Sequence, residues 1–459
     1  MTDLNTNAKK FSRRKFLEGA AIAGAGTVLA ACAPAATPTA APVAQATAVP
    51  ATAAPAADKV TIRFVTNHGA ADQPLFQTVI DKFKAASPNI TIDHLDIANG
   101  DDFYNSINTQ GAAKQLPDVW YTRTFDVPVY ASKGWTISLQ DFINADAKEI
   151  NVDDFWPGEV AQMTWQGKLY ALPYDFSNIG IYYNKTAFAK AGVDLPPASW
   201  KWDDLAALAQ KFTKKDSSGK FSAWGLLMYT WNWVAIGLFY GWGGKVFSDD
   251  LASCVMNTKE NADCLKWFID QRKQGMYPEA ASMPQGVDAF MANMVPMEFQ
   301  GSWATVSMRD SVKDKFEYDC TAMPTSPSGG SCINAAGGAW GIAANSKDPK
   351  SAWTFNKFLT STESTNDLIS DPLRSIPGRK TSAARWTEVA SKGGLPPKNV
   401  AVFAKQNETA VAKPYPAFWQ VFGNVWANMI DPLLNGATDD DPASVLAKAQ
   451  DEVNRQAKM

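Results

Sequence analysis

Val60-Thr61-Ile62-Arg63-Phe64-Val65, Ile90-Thr91-Ile92-Asp93-His94-Leu95-Asp96-Ile97 and Asp118-Val119-Trp120-Tyr121 carry the pattern that decides the fold. Each is a short run rich in β-branched or aromatic residues, which reads as a strand. Between them, Gln73 to Ala86 and Phe103 to Lys114 have helical spacing. Strand, helix, strand, helix, strand is the alternation of an α/β lobe built on a parallel sheet. In such sheets ligands bind beyond the carboxyl ends of the strands, where successive loops converge. That rule selects Asn67, the loop around Asp101, and Thr122 to Asp126, with Asn67, Asp101 and Asp126 as candidate contacts.

The chain has 459 residues. Single cores stop growing near about 250 to 300 residues, so a second lobe is expected. Hydrophobic residues make up 46% and charged residues 19%, the balance of a folded globular protein rather than a disordered one. The formal net charge is -3, and removing residues 1 to 31, with five cations against Asp3 and Glu18, leaves about -6. Such a body has no bulk electrostatic attraction for nucleic acid.

Residues 1 to 31 read as an export signal: Lys9, Lys10, Arg13, Arg14 and Lys15 precede the apolar run Gly19 to Ala31, too short to span a membrane. Ser12-Arg13-Arg14-Lys15-Phe16-Leu17 resembles the twin-arginine export motif, against the bland reading of a chance Arg pair. Leu29-Ala30-Ala31-Cys32 resembles the bacterial lipobox, which implies a diacylated Cys32 as membrane anchor. Residues 33 to 57 contain only Ala, Pro, Thr, Val and Gln and read as an extended tether, so 32 to 57 form the lipidated linker. Export to an oxidising compartment leaves Cys254, Cys264, Cys320 and Cys332, and their spacing suggests the bridges Cys254 to Cys264 and Cys320 to Cys332. A zinc site is the rival, but the spacing is not that of a zinc motif and only His68 and His94 are available.

Gly167-Lys168-Leu169-Tyr170-Ala171-Leu172-Pro173, followed by Ile181-Tyr182-Tyr183-Asn184-Lys185, resembles the extracellular solute-binding proteins of carbohydrate ABC importers, of the maltodextrin-binding type. More of that pattern follows in order: Ala191-Gly192-Val193, Pro196-Pro197, Ser199-Trp200 and Asp203-Asp204-Leu205; Phe290 to Trp303; Gly337-Gly338-Ala339-Trp340-Gly341-Ile342; and Trp353 to Ser361. In the segment ending at Gly301-Ser302-Trp303, Ala292 and Val295 replace the usual Gly and Ala. The resemblance implies a two-lobed periplasmic-binding-protein fold of the class II type, with a hinge and an interlobe ligand cleft. It implies crossings near Leu172 to Gly180, Ser331 to Gly338 and Ser375 to Lys380, so that 58–174 and 337–377 form one lobe and 175–336 and 378–459 the other. It also implies a sugar ligand, with another solute such as a glycerol phosphate ester as the alternative, the transmembrane subunits of an ABC permease as partner, an extracytoplasmic location, and a monomer without cofactor or metal.

Sugars present hydroxyl rims and weakly apolar faces, so their sites combine aromatic platforms with hydrogen-bonding side chains. Trp303 after Gly301-Ser302, and Trp340 after Gly337-Gly338, lie where glycine admits close approach, and Gly338 joins them as a candidate contact. Tyr174 and Asp175 in the hinge segment and Arg374 near the last crossing follow from the resemblance. Trp231 and Trp233 share a face if the strand-like run from Trp224 continues through them, and core packing fits the same pattern. A secreted glycosidase would need two carboxylates across a cleft. The doublets Asp101-Asp102, Asp153-Asp154, Asp203-Asp204 and Asp249-Asp250 are chain neighbours, which suits helix starts and turns better. A binding protein is therefore expected rather than an enzyme or a scaffold.

Overall fold

The computed structural model describes residues 59–458 apart from 285–287, 330 and 393. The export signal, Cys32 and the tether lie outside the described residues. β1 (Val60–Thr66), α1 (Gln73–Ala86), β2 (Ile90–Asp96), α2 (Gly100–Ala112) and β3 (Val119–Arg123) follow in the order read from the sequence. α1 buries Phe76, Val79, Ile80 and Phe83, spaced to form one stripe, and carries Pro in its first turn, where no amide donor is lost. β2 and β3 flank β1, both parallel to it.

The chain leaves this sheet through β4 (Ala171–Ser177) and enters a second sheet as β5 (Ile179–Asn184). Only Asn178 separates the two strands. Its side chain is buried and fully engaged, donating to the Phe403 carbonyl (2.8 Å) and the Asn407 amide oxygen (2.6 Å), and accepting from Gln406 (3.1 Å). A buried amide satisfied this way fixes the crossing point. α3 (Asn232–Gly241), β6 (Met297–Gly301), α4 (Thr305–Val312), β7 (Tyr318–Thr321) and β8 (Ala336–Ile342) follow, then α5 (Pro349–Leu359), α6 (Trp419–Val425) and α7 (Pro442–Gln456). The five-stranded sheet has the order β2-β1-β3-β8-β4, and the three-stranded sheet the order β6-β5-β7. The first sheet is thus mixed rather than wholly parallel. β8 returns from the second layer and pairs antiparallel with both β3 and β4.

Three cores hold these layers. One lies on the five-stranded sheet around Phe64, Phe76, Trp340 and Phe355, and one around β5 and β7 with Tyr182 and Phe403. The largest runs from Trp120 and Phe125 into the helical part around Trp202, Phe268 and Trp426. Among the described residues no helix is long and apolar enough to cross a membrane.

Two expectations are corrected here. The strand from Trp224 through Trp233 does not form: Trp231 is the N-cap of α3, which starts at Asn232. The run from Val234 to Phe239 is apolar on every side and buried throughout, the signature of a helix enclosed by core. Neither expected disulfide forms, for all four thiols are free and buried. Cys320 packs with the β5 and β7 core, whereas Cys332 belongs to the helical core and accepts a hydrogen bond from the Trp202 indole at 3.4 Å. Each Cys serves as a small apolar residue in its own packing site. Burial pushes the Cys254 and Cys332 thiols up to about 11, which keeps them protonated and unreactive.

Candidate functional site

β1 and β3 are adjacent and parallel, so their carboxyl ends open on one edge of the sheet. Asn67, following β1, and Arg123, Phe125 and Asp126, at and beyond the end of β3, line a cavity of about 630 Å³. Trp231, Asn232 and Trp233 at the start of α3 form another part of its wall, and Trp303 after β6 a third. α6 contributes Trp419, Gln420, Gly423 and Asn424, and α2 supplies Asn108. The cavity therefore takes residues from beyond the ends of strands in both sheets.

Its aromatic wall is ordered by ring packing. Tyr229 and Trp231 stack at 4.4 Å with planes 4° apart, Trp231 and Trp233 at 6.3 Å and 12°, and Trp233 and Phe125 at 6.4 Å and 23°. Trp303 leans on Trp231 (6.1 Å) and Trp233 (5.6 Å). A side chain on Gly301 would meet the Trp303 ring at 2.1 Å, so glycine there is what lets the ring fold back toward the cavity. Asn67 is held by its own amide, which donates to the Ile97 carbonyl at 2.7 Å. Gln420 accepts from Lys133 (2.6 Å) and donates to Asn108 (2.9 Å), tying α6 to α2 and to the segment that follows β3.

One ion pair lines the cavity. Arg123 Nε donates to Asp126 at 2.7 Å, and its guanidinium carbon lies 3.3 Å from the centre of the Tyr104 ring and 4.5 Å from that of Phe125. Burial opposes the Arg123 charge, but Asp126 and Tyr104 outweigh it and hold the guanidinium above its ordinary pKa. The side chain of Asp126 is 2% exposed and that of Arg123 34%, so the arginine is the member that faces the cavity. Arginine has five N–H donors; one is used on Asp126, and the others meet no acceptor among the described residues. The result is a fixed, internally neutralised donor fan beside stacked aromatic faces.

The other candidate contacts fall elsewhere. Trp340 is 0% exposed and packs on Phe64, His68, Tyr174 and Tyr121 within the first sheet's core. Tyr174 is buried beside it. Arg374, also buried, donates to Asp72 at 2.9 Å and lies 3.6 Å from Asp175. Asp175 in turn accepts from the Gly338 amide (2.7 Å) and from Ser177 (2.9 Å). A side chain on Gly338 would meet the Tyr121 ring at 2.3 Å, so this glycine serves ring packing between strands. Tyr174, Asp175, Gly338, Trp340 and Arg374 are buried, and none of them is among the described residues that line this cavity. Asp101 lies in the first turn of α2. Of the acidic doublets, Asp204 closes a helix start on the Lys201 amide and Asp250 a turn on the Ala252 amide.

Composition alone did not single out Arg123, Asn108, Asn232 or the α6 residues. Arg123 falls within Thr122 to Asp126, the strand-end span that the sequence selects, but nothing in the sequence marked it as a contact. Gln420 and Asn424 were legible only as polar positions four apart within an aromatic helix.

Two sheets joined by short crossings, with a polar and aromatic cavity at the strand ends, define a two-lobed solute-binding protein. The family model described as bacterial extracellular solute-binding protein matches residues 78–397, and the chain belongs to that family. Among its relatives is the maltodextrin-binding protein of Bacillus subtilis, 25% identical over 279 residues, 59% of this chain and 63% of that protein. The maltotriose-binding protein of Pyrococcus abyssi is 23% identical over 395 residues, 83% of this chain and 78% of that protein. A substrate-binding protein of Listeria monocytogenes, solved with cycloalternan, superposes with a TM-score of 0.77 at 22% identity over 88% of this chain and 100% of its own. The acarbose-binding GacH receptor of Streptomyces glaucescens gives 0.71 at 20% identity, over 87% of this chain and 99% of its own.

Proposed function

We propose that this protein captures a neutral sugar of oligosaccharide size in the cavity and hands it to the transmembrane subunits of an ABC importer. The observation that carries the reading is the cavity's chemistry: stacked indoles, amides and, as the one cation among the described lining residues, an arginine already neutralised by its own carboxylate. Aromatic faces suit the apolar faces of sugar rings, and amides both donate to and accept from hydroxyls. A phosphate ester would need uncompensated positive charge, whereas Arg123 is committed to Asp126. Among the described residues that line the cavity the one carboxylate is Asp126, and it is committed to Arg123, which favours binding over glycoside hydrolysis. We assign contact roles to Asn67, Arg123, Trp231, Trp233 and Trp303, with Asp126 holding Arg123 in place, and we divide the lobes near the crossings read from the sequence, with the first crossing at Asn178, where β4 gives way to β5. Relatives named for maltodextrin and maltotriose binding support the sugar class.

On this reading the protein works as a monomer outside the cytoplasmic membrane, held by lipid on Cys32, and needs neither cofactor nor catalysis. A ligand touching both lobes favours the closed state by its differential affinity, which is what a permease can sense. The test is a thermal-shift screen of the mature protein against neutral oligosaccharides, monosaccharides and glycerol phosphodiesters. Binding raises the melting temperature by an amount that grows with ligand concentration. A shift with phosphodiesters and none with any sugar overturns the substrate class. Cys32→Ala is expected to release the protein from the membrane fraction, and equal retention of that variant overturns the anchor.

A further inference from the structure

The cavity does not end at α6. Asn424 lines it and also lines a second cavity of about 400 Å³, formed between the continuation of α6 and one face of α7. Gln420, Asn424 and Asn428 stand four residues apart, so they form one stripe along the helix surface that leads from the first cavity into the second. Asn428 stands in the π-helical turn Trp426–Ile430 that continues α6 without a break. On the opposite wall, Lys448, Glu452 and Gln456 repeat the same spacing along α7. Gln456 donates to Glu452 at 2.6 Å, which holds the acid in place. The side chains of Asn424, Asn428 and Lys448 make no hydrogen bond to the described residues, and all three are exposed.

We propose that this groove is a distal extension of the binding cleft, which takes the outer units of a long oligosaccharide whose inner units occupy the aromatic cavity. The inference rests on the sugar reading above and goes further by setting where a longer ligand runs. Its warrant is continuity and chemistry together. One residue faces both cavities, the connecting stripe is made of amides, and amides offer a donor and an acceptor to each hydroxyl without selecting for charge. The groove lacks the stacked indoles of the main cavity, so it would add affinity in small steps through hydroxyl contacts rather than anchor a ligand alone.

The test is calorimetric titration of the mature protein and of Asn428→Trp with two neutral series, maltose through maltoheptaose and mannobiose through mannohexaose. Position 428 is exposed, so the indole fills the groove without entering a core. In the wild type, affinity is expected to rise with chain length beyond the shortest members. In Asn428→Trp the short members should bind as in the wild type, and the long members about tenfold or more weakly. Gln456→Ala, a truncation on the facing helix, should reproduce the effect in milder form. Equal affinity of both proteins across the series overturns the groove, as does equal weakening of short and long members, or a wild-type affinity independent of length. Failure of the sugar reading is a different outcome: no member of either series binds the wild type, and the groove assignment falls with it.

Discussion

Two clusters in this molecule are built from the same parts and do different things. Around Arg374, a guanidinium meets Asp72 at 2.9 Å and Asp175 at 3.6 Å, with the Tyr174 ring 5.6 Å away and Trp340 packed behind. Around Arg123, a guanidinium meets Asp126 at 2.7 Å over the rings of Tyr104 and Phe125, with Trp233 stacked beyond. The first is sealed: Arg374 is 6% exposed and its charge is divided between two carboxylates. The second is sealed only on the Asp126 side. Composition is therefore a poor guide to which cluster opens on the cavity. What separates them is whether the guanidinium retains donors that face open space. A buried pair with both members enclosed is a structural commitment, while a half-buried one is a preorganised recognition group.

Substitutions at matched positions should pull the two clusters apart, and the largest effects belong to the sealed one. Arg374→Ala leaves Asp72 and Asp175 without their cation and is expected to destabilise the fold by about 3 to 5 kcal/mol in denaturant unfolding. Trp340→Ala empties a core site and should cost a similar amount, about 3 to 5 kcal/mol. Either variant, where it folds, should bind sugar with nearly wild-type affinity. A strong loss of affinity at unchanged stability would return that residue to the ligand site. In the open cluster the readout reverses. Trp233→Ala should weaken sugar binding by about 2 kcal/mol, measured by calorimetry, with a smaller effect on unfolding because the ring is only half-buried. Arg123→Lys keeps the charge beside Asp126 but loses the planar fork and the ring stacking, and affinity should fall roughly tenfold.

A pH effect follows from the sealed cluster. His68 sits among Phe76, Tyr121, Tyr174 and Trp340, with ring centres 4.7 to 6.0 Å away, and neither of its nitrogens has a hydrogen-bond partner. Burial, aided by Arg374 and His94, holds its pKa well below the ordinary value of 6.5. The unfolded chain thus takes up a proton at a pH where the folded one does not. The stability that depends on neutral His68 is complete above pH about 6.5 and is lost progressively as pH falls below it. His68→Phe should flatten that acid limb in pH-dependent unfolding. His94, also lowered by burial, should leave part of it in place. The smallest expected effect is that of reductant: with Cys254, Cys264, Cys320 and Cys332 free and buried, dithiothreitol should leave the melting temperature unchanged, and a thiol count on the unfolded, unreduced mature protein, its Cys32 sulfur taken by lipid, should give four.

Much of the architecture was legible because local patterning and global fold agree. The first three strands and the helices between them are spelled by period and by turn residues, and the elements end within a few residues of where the pattern ends. Asn67 and Asp126 were legible as strand-end residues for the same reason. The two Trp beside Asn232 were legible as a pair, but not as part of a helix start, because an apolar run without polar punctuation fits strand and enclosed helix alike. Tyr174, Asp175 and Trp340 belong to segments whose motif is readable while their burial is not.

The sequence by itself determined the order of elements, the two-lobed family pattern, and the residue types from which a sugar site is made. Tertiary structure alone decided which arginine faces the cavity, which tryptophans stack along it, and that four cysteines with suggestive spacing are left unbridged. The physical reason is one of range. Periodicity and caps act within a few residues and are written along the chain. Burial and charge compensation depend on strands such as β8 that return from far away in sequence, and the neighbours they bring are set only when the sheets close.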